Sequence, residues 1–100
     1  MKKVNLDDNT LTCPSCNGPY LHQKIIGIYN CREGEKEGTH VEVDWDKIAI
    51  DKSMTGNPSP YRQGLSIAFY CEQCDPDDTP EKILNIYQHK GETVIEWETK

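Results

Sequence analysis

Cys13-Pro14-Ser15-Cys16 and Cys71-Glu72-Gln73-Cys74 are the two stretches that decide how this 100-residue chain folds. In each, two intervening residues let the backbone turn so that both sulfurs converge on one ion. Two such turns brought together offer four thiolates in a tetrahedron, the geometry and softness that Zn²⁺ favours. One Cys-x-x-Cys spacing carries little information, but two in one chain predict a structural metal site at Cys13, Cys16, Cys71 and Cys74. Four sulfurs also close the coordination shell, whereas a catalytic zinc keeps one position open. No enzyme is expected.

Other uses of the cysteines are weaker. A thioredoxin-like dithiol needs its Cys-x-x-Cys at the start of a helix, and Asn17-Gly18-Pro19 ends any helix that Pro14 could begin. Disulfides are disfavoured by the odd count of five and by the absence of a secretion signal. The opening Met1-Lys2-Lys3-Val4-Asn5-Leu6-Asp7-Asp8 has two cations with no apolar stretch behind them. A rubredoxin-like iron site uses the same four ligands and stays open as an alternative. Cys31, far from both pairs, reads as a small buried hydrophobe rather than a fifth ligand.

The two pairs are separated by the 54 residues 17–70, against about 15–20 in compact ribbons. Left floppy, that length would add about 0.9 kcal/mol of closure entropy, small beside the order of 10 kcal/mol that structural zinc supplies. The insertion is expected to be folded, since Val and Ile total 13, Thr adds seven and Ala only two, a bias toward sheet. Five strands are predicted. The first spans 20–31, with Leu21, Ile25 and Tyr29 on one face and Ile26 and Ile28 on the other. The second spans 39–50, with a bulge or a break at Asp46-Lys47, where the apolar parity changes. A third, 64–70, turns Leu65, Ile67 and Phe69 inward and leads into the second knuckle. The last two form a hairpin around Lys90-Gly91, with Ile86 opposite Ile95, Leu84 opposite Trp97, Tyr87 opposite Val94 and Asn85 opposite Glu96. Residues 51–63 read as a long loop because two prolines and a glycine forbid a central strand. Asp75-Pro76-Asp77-Asp78-Thr79-Pro80 reads as an acidic turn. The fold class expected is mostly β, a single domain over 1–100: two Cys-x-x-Cys turns in a strand-rich chain resemble a zinc ribbon, here with an enlarged antiparallel sheet inserted between its knuckles. Its parts are the first knuckle and following strand (11–22), the 51–63 loop, and the second knuckle with the C-terminal hairpin (64–99).

Seventeen acidic against eleven basic residues give a formal charge of −6, and four thiolates around a dication would take the folded molecule to about −8. That balance disfavours binding to a phosphate backbone. No apolar run reaches the length of a membrane span, and a cytoplasmic protein is expected. The long loop offers the one partner-binding candidate, Tyr61 with Arg62, the latter one of two arginines. A Tyr-Arg pair is a common anchor at protein interfaces. His22, six positions after the first knuckle, is read as a neighbour of the metal site or a surface residue, not a ligand. Asp44 and Asp46, two apart on the second strand, read as a solvated edge.

Three stretches, Cys13-Pro14-Ser15-Cys16-Asn17-Gly18-Pro19-Tyr20-Leu21-His22, Gly64-Leu65-Ser66-Ile67-Ala68-Phe69-Tyr70-Cys71-Glu72-Gln73-Cys74, and Gln88-His89-Lys90-Gly91-Glu92-Thr93 with Trp97, resemble small uncharacterised bacterial and bacteriophage-borne zinc-ribbon proteins. The resemblance implies a structural Zn²⁺ on Cys13, Cys16, Cys71 and Cys74 and carries no activity with it. Together with the acidic charge, it leads to the expectation of a non-enzymatic module that binds a protein. A nucleic-acid-binding ribbon and a rubredoxin-like redox protein are the alternatives.

Overall fold

A computed structural model describes residues 2–74 and 82–98 of the chain. Within them lie nine strands and no helix: β1 (Lys2–Lys3), β2 (Leu6–Asp7), β3 (Thr10–Leu11), β4 (Leu21–Asn30), β5 (Glu37–Asp44), β6 (Lys47–Ser53), β7 (Gly64–Cys71), β8 (Lys82–His89) and β9 (Glu92–Trp97). Seven form one antiparallel sheet in the order β1-β9-β8-β7-β4-β5-β6, and β2 and β3 pair by themselves. The acidic stretch 75–80 lies outside the described residues. No described helix is long and apolar enough to cross a membrane.

The β4–β7 pair makes the fold ribbon-like. Leu21 stands opposite Cys71 and Tyr29 opposite Gly64, so the chain just before β4 and the chain just after β7 arrive at the same end of the sheet. Everything between the knuckles is therefore ordered meander and loop. The mostly-β fold, with its large antiparallel sheet and a cysteine cluster spanning the chain, matches the architecture expected from the sequence.

The C-terminal hairpin has the predicted register, with Ile86–Ile95, Leu84–Trp97, Tyr87–Val94 and Asn85–Glu96 all directly opposed. Its two turn residues, Lys90 at φ 51° and Gly91 at φ 81°, both take the positive φ of a type I′ turn, whose twist suits the flanking strands. The expected second strand is broken at the point where its apolar parity changes. Trp45 and Asp46 make a two-residue turn between β5 and β6, with Trp45 at φ 60°. Asp46 thus leaves the strand that carries Asp44, so these two carboxylates do not share a strand face.

Two other expectations are corrected. The strand after the turn runs on to Ser53, so the irregular loop covers 54–63 rather than 51–63. A β-bulge between Gln23 and Ile25 changes the parity within β4, because one extra residue rotates everything beyond it to the other side. Leu21 therefore joins the face of Ile26 and Ile28, opposite to Ile25 and Tyr29.

With this bulge in place the two faces of the sheet differ in kind. One carries Leu21, Ile26, Ile28, Val41, Val43, Ile48, Ile50, Leu65, Ile67, Phe69, Leu84, Ile86, Ile95 and Trp97, as the cross-strand partners require. The other carries His40 stacked on the directly opposed Tyr29 at 4.4 Å, His22 stacked on Tyr70 at 4.9 Å, and the Tyr87 hydroxyl donating to Glu96. The core is the knuckle end of the apolar face, where Phe69, Leu84 and Trp97 are buried and Leu21, Ile67 and Ile86 pack around them. Val4 and Leu11 close it from the N-terminal segment, which is held in place by the Thr12 N–H and hydroxyl, both donating to the Asn5 carbonyl. Patterning alone assigned no structure to this segment.

Candidate metal centre

Each knuckle is shaped by its own backbone. In the first, the Asn17 N–H donates to the Cys13 carbonyl and the Cys13 N–H to the Gly18 carbonyl, both at 2.9 Å. Asn17 takes φ 63°, a left-handed conformation that asparagine tolerates better than most residues. The Ser15 N–H points at the Cys13 sulfur at 3.4 Å. In the second, the Cys74 N–H donates to the Cys71 carbonyl at 3.4 Å, and the Glu72 N–H reaches across to the Tyr20 carbonyl at 3.1 Å. That last bond ties the second knuckle to the root of β4.

The sulfurs of Cys13, Cys16, Cys71 and Cys74 all lie within 4.8 Å of one another. Cys13–Cys74 is 3.8 Å and Cys16–Cys71 is 3.6 Å. A tetrahedron with metal–sulfur bonds of about 2.3 Å has edges of about 3.8 Å, so the donor set fits a tetrahedral thiolate-bound ion. Cys13 and Cys71 are buried, Cys74 is partly so, and Cys16 is at the surface.

The thiols shift in opposite directions. Burial pushes the Cys13 thiol up, but the backbone N–H groups of Cys16 and Ser15 and the neighbouring thiols outweigh it and bring it from 9.0 to about 7. Cys74 is pushed up to about 12 by burial and by the sulfurs around it. At Cys16 the Gly18 backbone draws the thiol down, yet burial and the Cys71 and Cys13 sulfurs carry it upward. One sulfur ionises readily and two resist, the pattern of like charges crowded into one site. A dication held there would supply the charge that lets all four ionise together.

Several neighbours carry no signature in the cysteine spacing. Gly18 is buried, and a Cβ there would run into the Gln73 side chain and lie 3.3 Å from the Cys16 sulfur. Gln73 Oε1 lies 3.8 Å from that sulfur. His22 Nε2 meets Glu72 Oε1 at 2.5 Å while its ring stacks on Tyr70. It therefore braces the second knuckle from outside the sulfur cluster. The Cys-proximal Gly and Gln are the kind of signal that comparison of many sequences, rather than spacing, would pick out.

Tyr61 and Arg62 are not brought to this centre. They lie beyond the far end of β7, roughly 24 Å away along the strand. Tyr61 is 65% exposed, and Arg62 is exposed as well. The loop that presents them is clamped from below. The Cys31 thiol donates to the Arg62 carbonyl at 3.3 Å, Asn57 Nδ2 donates to the same oxygen at 2.9 Å, and the Ser59 hydroxyl donates to the Gln88 carbonyl at 2.7 Å. Asn57 Oδ1 also accepts from the Ser59 N–H at 3.0 Å, an Asx turn that makes this proline-containing loop compact. Cys31 is buried, and its hydrogen bond adds an anchoring role to its packing. Beside the loop, Glu33, Tyr61, Arg62, His89 and Lys90 line a cleft of about 120 Å³.

No protein-family model, no curated protein and no solved structure matches the chain. The four-cysteine cluster thus stands on its geometry: a site with the donors and spacing to hold a metal ion.

Proposed function

We propose that the chain is a non-enzymatic zinc-ribbon module whose Zn²⁺ is structural and whose task is to bind a protein in the cytoplasm. The observation that carries the reading is the sulfur quartet, with contacts of 3.6 and 3.8 Å close to a tetrahedral edge. Such an ion cross-links residues 13–16 to 71–74 and offers no open coordination position for a substrate. Four thiolates in a tetrahedron are the donor set of structural zinc sites, which supports zinc as the ion. Metal analysis of protein purified without added metal tests it, and visible charge-transfer absorbance would assign iron instead.

A protein partner is supported by two features. The chain is acidic, which opposes nucleic acid, and it presents exposed apolar side chains together with the Tyr61–Arg62 pair on a hydrogen-bonded loop. The expected result is a salt-sensitive complex of defined stoichiometry, weakened by Tyr61→Ala and Arg62→Ala. A retarded oligonucleotide at low salt, with no protein complex, would overturn the reading in favour of the nucleic-acid alternative.

A further inference from the structure

β6 is the last strand of the sheet, with β5 on one side and no described strand on the other. Every residue from Lys47 to Ser53 is exposed. Unpaired strand edges template further pairing, and proteins usually blunt them with proline, a bulge or charge, lysine above all. This edge has no proline, the one register shift of the β5–β6 pair falls beyond Asp51, and its charges, two of them lysines, follow a pattern: Asp46-Lys47-Ile48-Ala49-Ile50-Asp51-Lys52. Read backwards from Ala49, the apolar residues repeat and every charge changes sign.

We propose that two copies of this chain pair antiparallel through β6 about a two-fold axis at Ala49. Lys47 then stands opposite Asp51 of the second copy and Ile48 opposite its Ile50, while Asp46, in the turn just before β6, comes alongside its Lys52, with the reciprocal contacts repeated by symmetry. An axis perpendicular to the sheet keeps each face on its own side, so paired residues must have the same parity. That leaves few registers. Centring on Ile50 sets Lys52 against Ile48 and Asp51 against Ala49. Centring on Ile48 sets Asp46 against Ile50 and Lys47 against Ala49. The Ala49 register alone among these matches every charge and joins isoleucine to isoleucine. Opposite charges and branched side chains directly opposed are the favourable cross-strand pairs.

The environment suits this pairing. Ile48 and Ile50 are 67% and 70% exposed, and pairing would extend the apolar face across the junction. Asp51 already accepts from the Ser53 N–H at 2.8 Å and meets His40 Nδ1 at 3.1 Å, both through Oδ1. These contacts hold its carboxylate in place on the strand while Oδ2 takes neither bond. Seven residues a side make a small contact against the roughly 1,200–2,000 Å² of a standard interface, so the dimer is concentration-dependent.

Sedimentation equilibrium of the metal-loaded full chain tests the proposal, with circular dichroism confirming that each variant is folded. The 46/52 pair is the better target, since Asp51 also holds His40. Wild type should form a reversible dimer that weakens with salt, and Lys52→Asp and Asp46→Lys should each weaken it by at least about tenfold. Mixing the two variants in equal amounts should restore association, because each supplies the charge the other lacks at both symmetry-related pairs. A chain that stays monomeric to millimolar concentration overturns the proposal. So does a dimer that both reversals leave unchanged, or a mixture no tighter than its components. None of these results bears on the metal site or on capture of another protein, which are tested separately.

Discussion

The two halves of the sheet are built from the same material and held by different means. At the knuckle end, Trp97 is 1% exposed and packs edge-on to Phe69 with centroids 5.9 Å apart. The sulfur quartet and the N-terminal segment enclose this end. At the β5–β6 end, Ile48 and Ile50 lie on the same apolar face with nothing described above them, and Trp45 at the turn is 90% exposed. Hydrophobic pattern is therefore not the same as hydrophobic burial. A single sheet layer has a core only where something covers it, and here the cover comes from the N-terminal segment, through Val4 and Leu11, beside the four-cysteine cluster.

The largest test of this contrast is to remove the cross-link. A strong chelator, or Cys71→Ser, should abolish cooperative unfolding at the knuckle end, because a structural ion contributes on the order of 10 kcal/mol. The measurement is near-ultraviolet circular dichroism of Trp97 alongside thermal unfolding. Lowering the pH should act in the same direction, since protons compete with the metal for the thiolates. Full stability with no metal bound would break the comparison.

Next in size is Trp97→Ala, expected to cost about 3–5 kcal/mol as a cavity in the enclosed half, read from denaturant midpoints. Ile50→Ala, of similar chemistry in the open half, should change monomer stability by no more than about 0.5 kcal/mol. If the two substitutions cost the same, the halves are not distinct. Between them lies Gly38→Ala in β5, where the new Cβ would meet the Asn30 carbonyl oxygen and the Cys31 side chain. Backbone cannot yield as a side chain does, and a loss of about 1–3 kcal/mol is expected.

The smallest effect concerns Asp51, whose carboxyl is held below its ordinary 3.8 by the Ser53 N–H and by His40, despite desolvation. A lowered folded pKa means that its contribution is present above the unfolded value and fades as the pH falls through the folded one. Asp51→Asn should therefore flatten a shallow acid-side slope in the melting temperature without altering the neutral-pH fold. An unchanged slope would show that the β6 carboxylate is not coupled to folding.

How much of this was legible beforehand varies by region. The C-terminal hairpin was readable to the residue, because a two-residue turn with Gly91 sets the register and strand alternation does the rest. The sulfur quartet was readable from spacing, because metal coordination imposes short-range geometry on the chain. The partition of β4 was misread at Leu21. Period-two counting has no means of detecting an inserted residue whose only cause is its match to β7. The role of residues 2–12 was missed because strands of two residues carry no periodicity.

By itself, then, the sequence determined the C-terminal hairpin with its turn and which four sulfurs come together. These are properties of nearest neighbours and of donor chemistry. Only the tertiary structure decided that Leu21 belongs with Ile26, that the N-terminal segment covers one end of the apolar face, and that β6 is an edge while β7 is central. Those outcomes depend on strand order and on what lies above a face, and both are set by contacts between segments far apart in the chain. Ile67 on β7 and Ile86 on β8 pack against the core while Ile48 and Ile50 on β6 stay open surface, because burial is decided by the neighbour and not by the strand.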